Sequence, residues 1–336
     1  MDKPRLATGS DVARLAGVSK SAVSRAYNGG YVAPDARQRI LEAARKLRYR
    51  PNPAARALST NRSRLIGLSI TALDNQFYPE LVDQLSDALG LAGLRLVLFT
   101  TRGQAELEPM LDELLAYHLD GVILASTSYA TRVAVECADA GIPVIMLNNV
   151  DPNERIAGVS TDNRAGSEAI AAHFVECGYQ RVAVINGLEE SSASVERTRH
   201  FRDYLLERRL APPRIVSGRY TFEGASAATR ALLDHPDRLD AIYCTTDLMA
   251  LACLQTARTL GVVPGRDVGI AGFDDAPVAA WPAFSLTTYA TPLAALIDAC
   301  VSRLISAIEG HPLDASTIRL PGALVVRGST ASKPRG

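Results

Sequence analysis

The sequence predicts an α/β protein in which a small helical head precedes a larger, two-lobed body. Three observations carry this. Charge is segregated: Met1–Arg64 holds 14 Lys and Arg against 4 Asp and Glu, and the chain's 36 of each leave 22 basic and 32 acidic residues for Leu65–Gly336. The first segment has the punctuation of short helices, two of them joined by a glycine turn. The remainder alternates short apolar runs with amphipathic stretches. The neutral net charge therefore conceals two modules of opposite electrostatics. A basic head beside an acidic body reads as a polyanion-binding module on a body that avoids polyanions.

Ser10 is the expected cap of the first helix, with Asp11 in its first turn facing the positive dipole end. Val12, Ala13, Leu15 and Ala16 form its apolar side, Gly17 supplies the permissive backbone of a tight turn, and Val18 plugs that turn. Ser19 caps a second helix, from Lys20 to about Tyr27. Ala22, Val23 and Ala26 fall on one of its faces at helical spacing, and Lys20, Ser21, Ser24 and Arg25 on the other. A helix with small apolar residues inward and Lys, Ser and Arg outward suits a major groove. Asn28-Gly29-Gly30 ends it. A third helix opens near Pro34-Asp35 and runs to about Leu47. Ile40, Leu41, Ala44 and Leu47 are expected inward, and Arg37, Arg39, Arg45, Lys46 and Arg48 outward toward phosphates.

Between Tyr49 and Arg64, Asn52 is an N-cap, Pro53 fits a first helical position, and Ala54–Ser59 has room for two turns. Two turns are too short to persist alone in water. The segment reads either as a flexible basic linker or as a helix that forms only on DNA.

These residues resemble the LacI/GalR family of bacterial transcription regulators. The likeness is most specific in DVARLAGVSKSAVSRAYN and in YRPNPAARAL followed by RLIGLSI, and continues more loosely to the C-terminus. It implies a helix-turn-helix head whose second helix reads base edges through Lys20, Ser21 and Arg25. Thr8, Ser19, Ser24, Asn28, Tyr31, Arg48 and Asn52 complete the implied DNA-facing set. The short segment becomes a hinge helix, with Ala55 packing beside Leu58 and Leu58 wedged into the minor groove. The Lys20-Ser21 pair assigns no base preference. The implied division is a head over residues 1–50, a hinge over 51–63 and an effector-binding and dimerisation body over 64–330. Within the body, the first lobe takes about 64–161 and 291–320, and the second about 162–290 and 321–330.

In the body, strands are expected at Leu65–Ile70, Leu94–Phe99, Gly121–Ala125, Pro143–Leu147, Arg181–Asn186, Arg214–Ser217, Ala241–Cys244 and Asp267–Gly272. Helices are expected near Tyr78–Ala92, Glu106–Tyr117, before Ala140, up to Cys177, and at Ser194–Arg208, Phe222–Leu233 and Asp247–Leu260. β-rich runs between amphipathic helices argue parallel sheets covered on both faces. Two such Rossmann-like units give a bilobed body with ligands at the carboxyl ends of the strands. The resemblance implies the same architecture, a periplasmic-binding-protein-like domain.

Cleft candidates are the loops that follow strands: Asp74–Pro79, Asn148-Asn149, Gly187–Arg197, Tyr220, Thr246-Asp247 and Gly272–Asp275, with Leu286–Tyr289 expected to return the chain to the first lobe. An arginine and a carboxylate give charge-assisted bonds to hydroxyls, and aromatic faces stack on a ring. By resemblance, Arg197 and Asp274 take the places of the family's effector-contacting Arg and Asp. Phe77, Tyr78, Asn148, Ser192, Tyr220, Thr246 and Thr291 complete the effector set. Two positions depart from the pattern: Thr246, where many relatives carry Asn, and His200, where Gly is usual.

Several classes lack their signatures. MDKPRLATGS has no apolar signal core and no apolar run is long enough to span a bilayer, so a cytoplasmic protein is expected. The 5 cysteines have no CxxC spacing and read as buried reduced thiols. The histidines show no metal-ligand spacing, Ser191-Ser192 lacks a nucleophile-elbow context, and no glycine-rich phosphate loop opens a helix. No enzyme and no cofactor is expected. The leading reading is a repressor binding a near-palindromic double-stranded operator as a homodimer, controlled by a sugar or related polar metabolite. No leucine heptads follow Arg327, so no tetramer-forming coil is expected. A transport-type solute-binding protein would share the body but not the basic head.

Overall fold

A computed structural model describes residues 7–27, 29–50, 62–70, 73, 75–100, 107–125, 130–151, 153–235 and 238–332. The chain divides into two compact units, Met1–Arg64 and Leu65–Gly336.

In the first unit, α1 (Gly9–Ala16), α2 (Lys20–Tyr27) and α3 (Pro34–Lys46) close on a core of Val12, Ala13, Ala16, Val23, Ala26, Ile40, Ala43 and Ala44. The cap of α1 is Thr8, not Ser10. Thr8 Oγ1 accepts the Asp11 amide at 3.3 Å, while Asp11 Oδ2 accepts the Thr8 amide at 3.0 Å. A carboxylate on the third helical residue closes this reciprocal box from Thr8 and cannot do so from Ser10. Gly17, at φ 63°, turns the chain into α2. Three other inward or outward assignments also change. Leu15 is 51 % exposed and Leu41 is exposed, because small Ala43 and Ala44 let α3 lie close and fill the core instead. Arg37 turns inward and donates to the carbonyls of Ala26 and Gly30 at 3.1 and 3.2 Å, so it ties down the end of α2.

The second unit contains two sheets. The first has order β11-β5-β4-β3-β1-β2 and is wholly parallel, built from β1 (Leu65–Ile70), β2 (Arg95–Thr100), β3 (Gly121–Leu124), β4 (Val144–Leu147), β5 (Gly158–Thr161) and β11 (Thr317–Leu320). The second has order β12-β10-β9-β8-β6-β7. Its strands are β6 (Val182–Asn186), β7 (Arg214–Ser217), β8 (Ala241–Cys244), β9 (Gly269–Asp274), β10 (Thr287–Ala290) and β12 (Ala323–Val325), the last antiparallel to β10. The strand at β5 is short and carries Ser and Thr, and β11 and β12 are short and partly exposed. None shows the apolar run that marks the central strands, and none was expected from the sequence. Leu286–Tyr289 does not return to the first lobe, because Thr287–Ala290 pairs with β9 in the second sheet. The crossing follows it, at Thr291.

Helices cover both faces of both sheets, as strands buried on two sides require. Ile66, Leu68 and Ile70 of β1 point to a core shared with α4 (Phe77–Leu91) and α11 (Leu293–Ile308). The opposite face packs α5 (Leu107–Ala116) and α6 (Ala130–Asp139) through Met110, Leu114, Val133 and Cys137. In the second lobe, Ile242 and Cys244 of β8 face α9 (Phe222–Leu233) and α10 (Asp247–Thr259). Ala241 and Tyr243 face α7 (Asn163–Glu176) and α8 (Ser192–Glu207). A Cβ on Gly166 of α7 would stand 2.6 Å from the Phe273 ring, so glycine sets how closely that helix lies on the sheet. The five cysteines are free and buried.

The chain passes between the sheets after Thr161, after Ala290 and between Leu320 and Ala323. Each passage leaves the carboxyl end of a parallel strand, so the carboxyl edges of the two sheets face one another.

Candidate functional site

The α2 helix buries Val23 and Ala26 and exposes Lys20, Ser21, Ser24 and Arg25. Ser19 Oγ accepts the Ala22 amide at 3.2 Å and lies 2.9 Å from Ser21 Oγ, so the helix start is held by the same residues that flank its polar face. Thr8 and Arg48 are exposed, and Tyr31 is 86 % exposed. A side chain that large has no packing reason to stand in water and is available to a partner. The expected DNA-facing residues Asn28, Asn52, Ala55 and Leu58 lie outside the described residues.

The facing strand ends in the second unit carry a concentration of unusual backbone. Asn148 (φ 52°), Tyr220 (φ 57°), Asp274 (φ 122°) and Asp275 (φ 56°) all occupy the region that favours glycine. Such conformations persist where surrounding structure over-determines them, and they gather at functional sites. Asp275 is held by Arg327 at 2.7 Å.

Arg197, on the first turns of α8, is the centre of the second lobe's polar floor. Arg197 and Asp274 have side chains 4 % and 5 % exposed and pair at 3.3 Å. Arg197 Nε donates to Asn163 Oδ1 and Nη1 to the Thr245 carbonyl, both at 2.8 Å. The guanidinium lies over the Phe273 ring, 3.6 Å from its centroid. Among the described residues nothing bonds its Nη2, which leaves two donors for a ligand. Burial raises the Asp274 carboxyl to about 6 despite the pull of Arg197. Asp247 is pushed well above the usual carboxylate range by burial and then by the Asp274 charge. It accepts Thr288 Oγ1 at 2.6 Å and the Ala276 amide at 2.8 Å, so it holds the Asp274-Asp275 turn.

Around this floor, Thr246 Oγ1, Thr245 Oγ1 and Asn186 Oδ1 are buried without a hydrogen-bond partner among the described residues. Buried polar atoms are rarely left so, and a polyhydroxylated ligand is one way to satisfy them. Tyr220 OH lies 3.0 Å from Ser191 Oγ, and a Cβ on Gly187 would stand 2.1 Å from the Tyr220 ring. Glycine at 187 therefore lets the aromatic ring lie flat on the backbone after β6.

The first lobe contributes less directly. Asn148 Oδ1 accepts the Thr161 amide at 2.9 Å and Thr161 Oγ1 at 3.1 Å, and Thr161 Oγ1 reaches Thr291 Oγ1 at 3.4 Å across two of the chain passages. Ser192 Oγ donates to Asn149 Oδ1 at 2.5 Å and accepts the Val150 amide at 3.1 Å, tying the lobes together. Phe77 and Tyr78 are buried in their own lobe's core, where Tyr78 OH donates to the Ala125 carbonyl at 3.1 Å. The structure thus gathers Arg197, Asp274, Thr246 and Tyr220 in one lobe, places Asn148, Thr291 and Ser192 at the lobe junction, and packs Phe77 and Tyr78 below the first strand ends. His200 is half-buried, one ring nitrogen 3.2 Å from Arg199 Nη2. Burial, then Arg199, lowers its pKa. Asn163, Glu196 and Arg319 were not expected. Glu196 is hidden in a run of charges, and Arg319 meets it only through the topology.

Among the described residues no group of His, Cys, Asp and Glu could hold a metal, and no helix is long and apolar enough to cross a membrane.

Residues 9–52 match the model of bacterial regulatory proteins of the lacI family, and residues 171–330 match that of a periplasmic binding protein-like domain. The ribose operon repressor of Halalkalibacterium halodurans is 33 % identical over 322 residues, covering 95 % of this chain and 96 % of the relative. A crystal structure of the Lac repressor dimer bound to operator and the anti-inducer ONPF superposes with a TM-score of 0.87 at 25 % identity, covering 97 % of this chain and 100 % of that one. A complex of the transcriptional regulator CelR with cellobiose gives a TM-score of 0.74 at 29 % identity, covering 96 % and 99 %.

Proposed function

This chain belongs to the LacI family of bacterial regulatory proteins, and from that premise we propose that it is a sugar-responsive repressor acting as a homodimer on a near-palindromic operator. The exposed Lys20, Ser21, Ser24 and Arg25 face of α2 carries this reading. A solute-binding body has no use for such a face, whereas a groove-reading helix requires it. Lys20, Ser21 and Arg25 are assigned to base edges, and Ser19, Ser24, Tyr31, Thr8 and Arg48 to phosphates or sugars of the backbone. Thr8 in addition holds the start of α1.

In the body, Arg197 and Asp274 grip the effector, with Thr246 and Tyr220 beside them and Asn148, Ser192 and Thr291 at the junction. A neutral polyhydroxylated ligand fits this floor. Arg197 is already neutralised by Asp274, the Nη2 donors suit ring hydroxyls, and the hydroxyls of Thr245 and Thr246, without a partner among the described residues, can donate or accept. Relatives named for ribose and a neighbour bound to cellobiose support the class. The protein acts in the cytoplasm, where its operator is, and carries out no catalysis.

Gel-shift with genomic fragments tests the reading. The full chain should retard a specific fragment, with affinity falling steeply as salt rises, and one sugar of a panel should change that retardation. Equal retardation by residues 65–336 alone would overturn it.

A further inference from the structure

The first half of α8 presents two edges. Ser191, Ser194 and Arg197 turn toward their own lobe. Ser192 and Glu196, one helical turn apart, reach toward the other. Glu196 meets Arg319 of β11 in a two-pronged pair: Nη1 donates to Oε2 at 3.0 Å and Nη2 to Oε1 at 2.8 Å. The same Oε2 accepts Asn163 Nδ2 at 2.9 Å, and Asn163 Oδ1 accepts Arg197 Nε at 2.8 Å. An unbroken run therefore joins a strand of the first sheet to the Arg197–Asp274 pair of the second lobe.

We propose that Glu196 and Asn163 are positioning residues for Arg197, and that Arg319 makes their grip conditional on the two lobes being closed. An amide has one accepting and one donating end. For Asn163 to offer Oδ1 to Arg197, its Nδ2 must find an acceptor elsewhere, and Glu196 is that acceptor. Asn163 is 1 % exposed, so an unmet donor there would be costly. Glu196 is itself fixed by the fork of Arg319, the arrangement in which an arginine–carboxylate pair carries most directional information. When the lobes part, Glu196 loses the arginine fork that fixes it and can rotate, and the amide is then free to turn.

The pair suits a switch. Arg319 is 40 % exposed and Glu196 16 % exposed. Water can take over the half-exposed guanidinium of Arg319 when the pair parts, so no buried cation is left behind on that side. Lobe closure therefore sets the orientation of Arg197, and by reciprocity a ligand that fixes Arg197 favours closure. The second half of that statement rests on the effector reading above. The first half does not.

The test uses the full chain with neither DNA nor sugar, so its failure is separate from failure of that reading. The native cysteines are buried, so spin labels can be placed at Asp112→Cys on α5 and Arg230→Cys on α9, both exposed. Labelled chain is diluted into excess unlabelled chain and the interlobe distance is read by pulsed electron resonance. In parallel, exchange of the Arg197 Nε proton is followed by nitrogen-15 NMR, its signal assigned by loss in Arg197→Lys. Arg319→Ala should widen and lengthen the distance distribution and speed Nε proton exchange several-fold, with the fold intact by circular dichroism. The double variant Glu196→Arg with Arg319→Glu should restore the distance distribution. An Arg319→Ala protein with wild-type distances and wild-type Nε exchange would overturn the proposal. So would a folded double variant that stays as wide as Arg319→Ala.

Discussion

Arg197 lies over Phe273, its guanidinium carbon 3.6 Å from the ring centroid. The ring belongs to β9 and immediately precedes Asp274, so one strand end supplies both an apolar seat and a counter-charge. Stacking leaves the edge of the guanidinium free to donate, and the plane is fixed before any ligand arrives.

Arg197→Ala should leave operator binding intact and abolish the response to sugar in gel-shift. It also leaves Asp274 buried without its cation, which for an intact ionised pair costs about 3–5 kcal/mol. Asp274 takes up a proton instead, so the loss in a thermal melt should fall below that range. Arg197→Lys keeps the charge but loses the planar fork, and should lose the response with a smaller fall in melting temperature.

The buried carboxyls give stability a definite pH sign. Burial raises Asp274 from 3.8 to about 6 and also pushes Asp247 well above the usual carboxylate range. A raised carboxyl stabilises the fold fully below its unfolded value, and that contribution is lost as pH rises through the folded value. Asp274→Asn should therefore gain on the wild-type protein as pH rises from 3.8 to about 6. Melts of both proteins across that window would show it. A constant difference would mean that Asp274 is not buried as a proton-holding acid.

Gly187→Ala should displace Tyr220, since the new Cβ would stand 2.1 Å from its ring. Overpacking of this kind costs about 1–3 kcal/mol. The response to sugar should weaken even though the residue changed carries no chemistry. Tyr220→Ala in the same background should recover the melting temperature but not the response.

Arg25→Ala should remove discrimination between operator and random DNA. A bidentate contact to guanine is worth about 1–3 kcal/mol. Arg48→Ala, beyond the end of α3, should weaken both kinds of DNA alike, as loss of a phosphate contact does. Competition gel-shift separates the two outcomes.

How much of this was legible in the sequence follows from where each signal lies. The α2 face was readable because Val23 and Ala26 repeat at helical spacing while Lys20, Ser21, Ser24 and Arg25 fall opposite. The central strands were readable because both their faces are buried. Ser10 reads as the cap because it stands nearer the apolar run, although Asp11, three residues on from Thr8, marks Thr8 instead. Arg37 reads as a phosphate ligand because a long cation on a helix usually points to water, whereas two backbone carbonyls at the end of α2 claim it. Of the cleft, Arg197 and Asp274 came from family likeness. The Asn163–Glu196–Arg319 run had no local signal, since Arg319 reaches Glu196 only after the chain has passed between lobes.

Those passages bear on biosynthesis. The first sheet lacks its edge until β11 is made, and the second lacks its edge until β12, the two lying only a few residues apart after every other strand of both sheets. The head, by contrast, has its whole core ahead of the body in the sequence, and domains generally fold in order of emergence. A nascent chain therefore carries a folded DNA-binding head while the body is being made, and both lobes of the sensor wait for their last strands together. A nonsense truncation before Thr317 would yield a head attached to two open-edged sheets, able to touch DNA but prone to aggregate.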